Sequence, residues 1–471
     1  MFFRASAVIV ACASLLALAG CSLDSSGLRQ EDAGVTAIDS GGPLDASLDG
    51  SAPVDAFVAD GCVRTTEVCN LVDDDCDGIV DNGINLATDP LNCGACASVC
   101  GVGMFCVAAR CVGNVIDVAA GESFNCAVRR DGAVFCWGDN NLLQLGSTGP
   151  PTGTPVRVAG ITDAVEVTAG QSFACALHAT GTVSCWGQND DAQLGRGTRT
   201  TSESQGAVPS IVGALSISAG FGHVCVVRGM PRELWCWGRN DSGQVGADAG
   251  GTAYPNPAAM PARAEMLGAR PTRVSAGGDT TCADLSGALS CWGRNMERQL
   301  GGVTIGDAFL PVPTILPAGM LRALSVGDQT VCAAVDNSLY CWGRNDHGQV
   351  GDGTTTNPVT PVPVDTSIAD FDQVDVGYDH TCGRRRAGTV ACWGTNAHGE
   401  LALGAIGGMN QTVPSVVTGV TNATKLALGR QHTCVLRADG VVSCWGDASL
   451  GQIGRVGTSS GSPVDVAIPS P

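Results

Sequence analysis

From residue 114 onward the apolar and polar positions recur in one arrangement, seven times over. A short alternating run, such as Val115-Ile116-Asp117-Val118, leads into a small residue and a glycine. A second apolar run carries a cysteine, then comes a turn, then a third run with another cysteine. Trp-Gly follows, usually with an Asn, and then Gln-Leu-Gly or a close variant. Short runs of period two between Gly-rich breaks predict β-strands. Nowhere does a long amphipathic helical run appear.

The Cys-Trp pair falls at 136, 185, 236, 291, 341, 392 and 444, spaced 49 to 55 residues apart. Asn140, Asn189, Asn240, Asn295, Asn345 and Asn396 hold the Asn position, where the seventh copy has Ala448. Gln144, Gln193, Gln244, Gln299, Gln349 and Gln452 hold the Gln position, where the sixth copy has Glu400. A fixed period of this length marks a repeat architecture.

In four copies the turn between the cysteine strands has three residues and ends in glycine, at Gly132, Gly181, Gly388 and Gly440. Such hairpin loops want a left-handed last residue, which glycine supplies at little steric cost. Two copies use two residues, Ser286-Gly287 and Asp336-Asn337, and one uses four, Gly229 to Arg232. Three residues separate the turn from the cysteine on each side in every copy. The cysteines therefore stay opposite each other while the turn varies. Opposed residues on antiparallel strands lie within disulfide reach. The expected pairs are Cys126 with Cys136, Cys175 with Cys185, Cys225 with Cys236, Cys282 with Cys291, Cys332 with Cys341, Cys382 with Cys392, and Cys434 with Cys444. Each closes a loop of about 11 residues, worth roughly 2–3 kcal/mol in the chain-entropy model.

These residues resemble the regulator-of-chromosome-condensation repeat, over about 114–471. The resemblance implies a seven-bladed β-propeller with four strands per blade. The expected fold is thus all-β, one hairpin disulfide per blade, preceded by a small disulfide-rich module. The family's histidine position is held only by His223, His380 and His432; Phe124, Phe173, Thr280 and Thr330 fill it elsewhere. That variation points to a packing role. The repeating tryptophans read as blade core. A "Pro-Val-x-Val" run precedes internal repeats, as at Pro155-Val156-Arg157-Val158, but not the first, and the chain ends in one. Ser462 to Ile468 is therefore expected to complete the first blade and close the ring.

The N-terminus reads as a sorting signal. Arg4 precedes an apolar stretch, Ala5 to Ala19, too short to span a membrane comfortably. Leu18-Ala19-Gly20-Cys21 resembles the bacterial lipobox, which implies lipidation at Cys21; Ser22 after it favours the outer membrane. Residues 1–20 are then a signal peptide, and 21–60 an acidic linker too poor in apolar residues to fold. Some 40 residues of such chain average roughly 35 Å end to end.

Residues 61–112 form a cysteine-rich module. Of 24 cysteines, eight lie from Cys62 to Cys111 and fourteen beyond. Even numbers outside the cytoplasm read as disulfides. Cys93-x-x-Cys96 could start a zinc site, but disulfides are favoured, with the connectivity open. The module contains "EVCNLVDDDCDGIVDNG". Asp73, Asp75, Asp77 and Asp81 around Gly78 match part of a calcium loop, with Ile84 where the bidentate acid belongs. The stretch is similar to a short Asp-x-Asp-Cys-Asp-Gly motif of bacterial secreted proteins, so Ca²⁺ is the expected cofactor.

A net charge of −19 opposes nucleic-acid binding, which rests on cationic neutralisation of phosphates. No phosphate-binding loop, His-Glu-x-x-His or Gly-x-Ser-x-Gly is present, and none of the six histidines sits beside a nucleophile pattern. The expectation is a non-enzymatic, monomeric outer-membrane lipoprotein. Its membrane contact is the lipid anchor, and its propeller binds an unidentified protein. The irregular connections 199–206, 247–268 and 302–319 are the candidate contacts. Secreted members of the fold that inhibit β-lactamase make an enzyme inhibitor a further alternative, beside an envelope spacer. Guanine-nucleotide exchange, implied by the family's founding activity, is disfavoured outside the cytoplasm.

Overall fold

The computed structural model describes residues 66–469, apart from 71, 78, 101–103, 108, 247–256 and 265–269. The signal segment, Cys21, the linker and Cys62 lie outside the described residues.

Seven antiparallel sheets of four consecutive strands form a seven-bladed propeller. In blade 1 the strands are Val115–Ala120, Phe124–Arg129, Val134–Gly138 and Thr152–Arg157, in order from channel to rim. The later blades repeat that order, and among the described residues there is no helix. The two cysteine strands are buried because they are the middle strands, covered by neighbouring blades on both faces. Each cysteine pair is directly opposed in register, with Cα atoms 4.0–4.1 Å apart. The four turn glycines all have positive φ, from 73° to 80°.

The blades approach most closely at the glycine that follows each innermost strand. A Cβ on Gly121, Gly170, Gly220, Gly277, Gly327, Gly377 or Gly429 would lie 2.5–2.8 Å from a carbonyl oxygen of the next blade. The seventh of these contacts, Gly429 to Gly121, closes the ring.

Closure differs from the expectation. The terminal strand Ser460–Val466 pairs with Val442–Gly446 of blade 7, not with blade 1. Every "Pro-Val-x-Val" run is the outermost strand of the blade before it: Val156 faces Cys136, and Val464 faces Cys444. The chain turns back on the strand it has just made, as neighbours in sequence usually do. The first repeat therefore lacks nothing. The tail still touches blade 1. Val466 and Ile468 share a buried cluster with Val115 and Phe135, and Arg129 donates to the Pro469 carbonyl at 2.9 Å.

The module ahead of the propeller is mostly loop. Among its described residues one hairpin pairs Met104–Val107 with Arg110–Gly113. Disulfides join Cys69 to Cys96, Cys93 to Cys106 and Cys100 to Cys111, and Cys76 is disulfide-bonded too. Cys93 and Cys96 thus have different partners. Buried cysteines make up most of its small core.

Candidate functional site

The repeated residues hold blades together. Each tryptophan Nε1 donates to the carbonyl of the Gln-position residue in the preceding blade, at 2.6–3.1 Å, and Trp137 to Gln452 completes the circle. Each Asn Oδ1 accepts from the backbone amide five residues on, at 2.9–3.1 Å. Each Gln Oε1 accepts from the amide two residues back, and Glu400 does the same through a carboxylate oxygen. Through these oxygens the side chains brace their own loops, and Gln244 Nε2 also donates to Asp279 of the next blade at 3.0 Å.

The histidines follow a rule across the seams. His223 Nε2 meets Thr281 Oγ1 of the next blade at 2.8 Å, His380 meets Thr433 at 2.8 Å, and His432 meets Asn125 at 2.9 Å. Where the position is Phe, the facing residue is apolar: Phe124 clusters with Ala174, and Phe173 with Val224. All three histidines are fully buried, and burial pushes them down to about 3, 3 and 4. They stay neutral in the core.

His178 makes a contact that the sequence did not suggest. Its Nε2 lies 2.9 Å from Ser184 Oγ and its Nδ1 2.6 Å from an Asp163 oxygen. Strand pairing brings the three together from separate segments. Ser184 is only 5% exposed, and it does not line the channel cavity. In blade 7, Arg437 makes the equivalent contact to Ser443 at 3.2 Å. The arrangement ties strands together.

The innermost strands of all seven blades line an axial cavity of about 330 Å³. Side-chain oxygens bridge successive blades here. Thr168, Ser218, Ser275, Ser325 and Asp375 each accept from a backbone amide of the next blade at 2.9–3.1 Å. Burial pushes Asp375 up to about 6 despite those hydrogen bonds. Burial also pushes Glu166 up to about 7. Lys425 pairs with Asp117. Burial works against the ammonium, but Asp117, Glu166 and Asp375 together hold it charged above its usual range.

One mouth of the cavity is ringed by the residues after the glycines. Phe221 and Tyr378 stack across it with centroids 4.8 Å apart. Arg430 lies over the Tyr378 ring and pairs with Glu122 at 2.6 Å. Burial pushes Tyr378 up, and pushes Asp328 up to about 6.

The three irregular connections contain outermost strands. Residues 199–206 run mostly in strand Thr200–Ala207 of blade 2, where Glu203 accepts from Asn189, Thr198 and Thr200. Of 247–268, residues 247–256 and 265–268 lie outside the described residues, and Ala258–Arg263 is a strand. Of 302–319, Ala308–Pro313 is the outermost strand of blade 4. This last edge is unusual. Val303, Ile305, Leu310, Val312, Ile315 and Met320 are all exposed, Ile315 by 84%. The matching strand of blade 2, TTSESQGA, is polar.

In the acidic loop, Glu67, Asp73 and Asp75 place carboxylate oxygens within 4.8 Å of one another. Two of the four expected ligands are thus together. Asp77 lends its amide to Asp73 and Asp75 and accepts from Asn82, while Asp81 accepts from the Asn70 amide at 2.9 Å. Glu67, eight residues from Asp75, was not in the expected set because the motif does not include it.

Two models of the regulator of chromosome condensation (RCC1) repeat match. One covers 115–144, 164–193, 371–400 and 423–452; the other covers 131–177, 233–283 and 336–383. The chain carries RCC1 repeats. Among curated proteins, RCC1-type similarity extends to the Arabidopsis thaliana ultraviolet-B receptor UVR8, 27% identical over 54% of this chain and 58% of UVR8. Mouse probable E3 ubiquitin-protein ligase HERC4 is 36% identical, over 17% of this chain and 8% of HERC4. The chain therefore matches only part of the length of these relatives. Human WBSCR16 superposes with a TM-score of 0.62 at 21% identity, covering 68% of this chain and 86% of that one. Yeast Prp20p (Saccharomyces cerevisiae) gives 0.59 at 20% identity, over 68% and 82%. These structures share the fold. RCC1-type propellers act mainly as binding or exchange-factor modules, and this chain has a propeller of that type.

Proposed function

We propose that this chain is a lipid-anchored outer-membrane protein whose RCC1-type propeller binds another protein and catalyses nothing itself. The exposed apolar edge of blade 4 carries this reading. An apolar string of that length on a chain of net charge −19 is a mark of a contact surface. Pro311 and Pro313 on the edge strand remove amides that an added strand would need. The partner therefore packs on side chains rather than extending the sheet. The name of the Prp20p structure describes binding to Gsp1p and histones, which supports protein recognition as the propeller's role. Glu67, Asp73 and Asp75 are proposed as oxygen donors for Ca²⁺, a hard cation that prefers such ligands.

The test is capture from envelope extracts by crosslinking with the intact protein as bait. A stoichiometric partner is expected, lost with Leu310→Asp plus Ile315→Asp and kept with Val456→Asp. Equal capture by all three proteins would refute the blade 4 surface.

A further inference from the structure

Lys425 is the only lysine in the chain; the rest of its 26 Lys and Arg residues are arginines. It stands on Ala423–Leu428, the innermost strand of blade 7, and lines the axial cavity. There it donates to Asp117 Oδ1 on Val115–Ala120, the innermost strand of blade 1, 308 residues away in sequence. The other ion pairs among the described residues use arginine or histidine. A guanidinium stays charged, whereas a desolvated lysine can give up its proton and act as a nucleophile. The one side chain in the protein with a primary amine is thus set against a carboxylate, on the seam that closes the ring.

The surroundings supply what a condensation of the two needs. The Asp117 side chain is only 8% exposed, and that of Lys425 opens to the channel. The second Asp117 oxygen, Oδ2, accepts from the Val167 amide of blade 2 at 2.9 Å. Glu166, the residue before Val167, lines the same cavity and is held by the Ile217 amide. It feels the charges of both Lys425 and Asp117. Burial pushes Glu166 up to about 7, so it can take and return a proton near neutral pH. Asp375, the other acid near the ammonium, is engaged by Ser325 and by the Val376 and Leu428 amides. The cluster therefore holds one amine, one acyl group and one proton carrier.

We infer that Lys425 and Asp117 condense to an intramolecular isopeptide bond that closes the propeller covalently, with Glu166 carrying the proton. The neighbouring acids hold the ammonium charged, so the free amine arises by proton transfer inside the cluster, from Nζ to Glu166. Nζ then attacks Asp117 Cγ, and the charge that develops on Oδ2 rests on the Val167 N–H. The Nζ–Cγ bond forms and the Cγ–Oδ1 bond breaks. Oδ1 takes one proton back from Glu166 and a second from Nζ, and leaves as water through the channel. An ammonium and a carboxylate become an amide and water, Glu166 ends as it began, and no co-reactant is consumed. Burial favours the outcome, because the ion pair has lost hydration that an uncharged amide needs less. The folded ring holds the two groups in contact, which replaces a high reactant concentration. The seven propeller disulfides each join cysteines 9–11 residues apart within one blade. The isopeptide bond adds a covalent link across a seam.

Peptide mass spectrometry on the full-length protein, folded under oxidising conditions and then unfolded, reduced and digested with trypsin, tests this. The cut after Lys425 should be lost. Residues 111–129 should appear joined to 387–430, one water lighter than the two peptides together. An amine-reactive label on the unfolded wild-type chain should find no free lysine, a readout that needs no variant. Lys425→Arg keeps a cation beside Asp117 and should abolish the joined peptide. Glu166→Gln should slow its appearance after synthesis about a hundredfold, the lower end of a general acid–base contribution. A wild-type chain that is cut after Lys425 into separate peptides of full mass would overturn the bond. A joined peptide that forms at wild-type speed in Glu166→Gln would overturn the role of Glu166.

Discussion

The seam between blades 2 and 3 and the seam that closes the ring solve the same problem with different chemistry. At the internal seam Phe173 packs on Val224, and Thr168 accepts from the Ala219 amide at 3.0 Å. At the closing seam His432 meets Asn125. Ala427 and Ala119 leave no hydroxyl to bridge the strands, so Lys425 pairs with Asp117, whose other oxygen takes the Val167 amide. Arg430 pairs with Glu122 on the same seam. The Trp–carbonyl bond is the constant in both. The seam that shares no strand across its ends therefore adds the Lys425–Asp117 pair and a packed tail, where the seam between blades 2 and 3 has the Thr168 bridge and the Phe173–Val224 contact.

Removing the tail should break the comparison most severely. Deleting 460–471 strips the outermost strand of blade 7 and takes Val466 and Ile468 from the closing cluster. Burial losses of this kind cost roughly 4 kcal/mol or more, read as a large drop in melting temperature. Lys425→Ala comes next. It leaves the buried Asp117 carboxylate without its cation. Lys425 keeps 32% of its side chain open to the channel, so the loss should be about 2 kcal/mol rather than the full cost of breaking a buried pair. Adding Asp117→Ala should recover part of it. Thr168→Val on the internal seam should cost only about 1 kcal/mol, one hydrogen bond.

The histidines sharpen the contrast through pH. Burial holds His432 at about 4 and His380 at about 3, below the unfolded value near 6.5. Below pH 6.5 the unfolded chain takes protons that the native core refuses, so their contribution to stability falls as pH drops toward 4. Asp375 and Glu166, raised to about 6 and 7, act in the opposite sense over pH 4–7. His432→Phe with Asn125→Ala converts the closing seam to the Phe–Ala type of blades 1 and 2. Its stability should decline less steeply between pH 6.5 and 4 than the wild type, measured by denaturant melts.

The sequence carried the hairpins and blades well, because Trp137 and its six equivalents repeat and each cysteine pair keeps a fixed distance from its turn. It misled at the last strand, because a "Pro-Val-x-Val" run between two repeats could belong to either. Only pairing of Val464 with Cys444 decides. Glu166 and Asp328 were invisible for a related reason. Channel positions change from blade to blade, and a reading that averages repeats discards them. Their convergence on one axis exists only in the closed ring. The blade 4 edge was half legible. Residues 302–319 stood out as irregular, but their irregular length hid a strand, Ala308–Pro313.

The most direct test of the binding role places a photo-crosslinking residue at Ile315 of blade 4, and at Arg157 on the outermost strand of blade 1, in cells that make the protein. The account predicts one crosslinked protein partner from 315 and none from 157. The same products from both positions, or none from either, would contradict it.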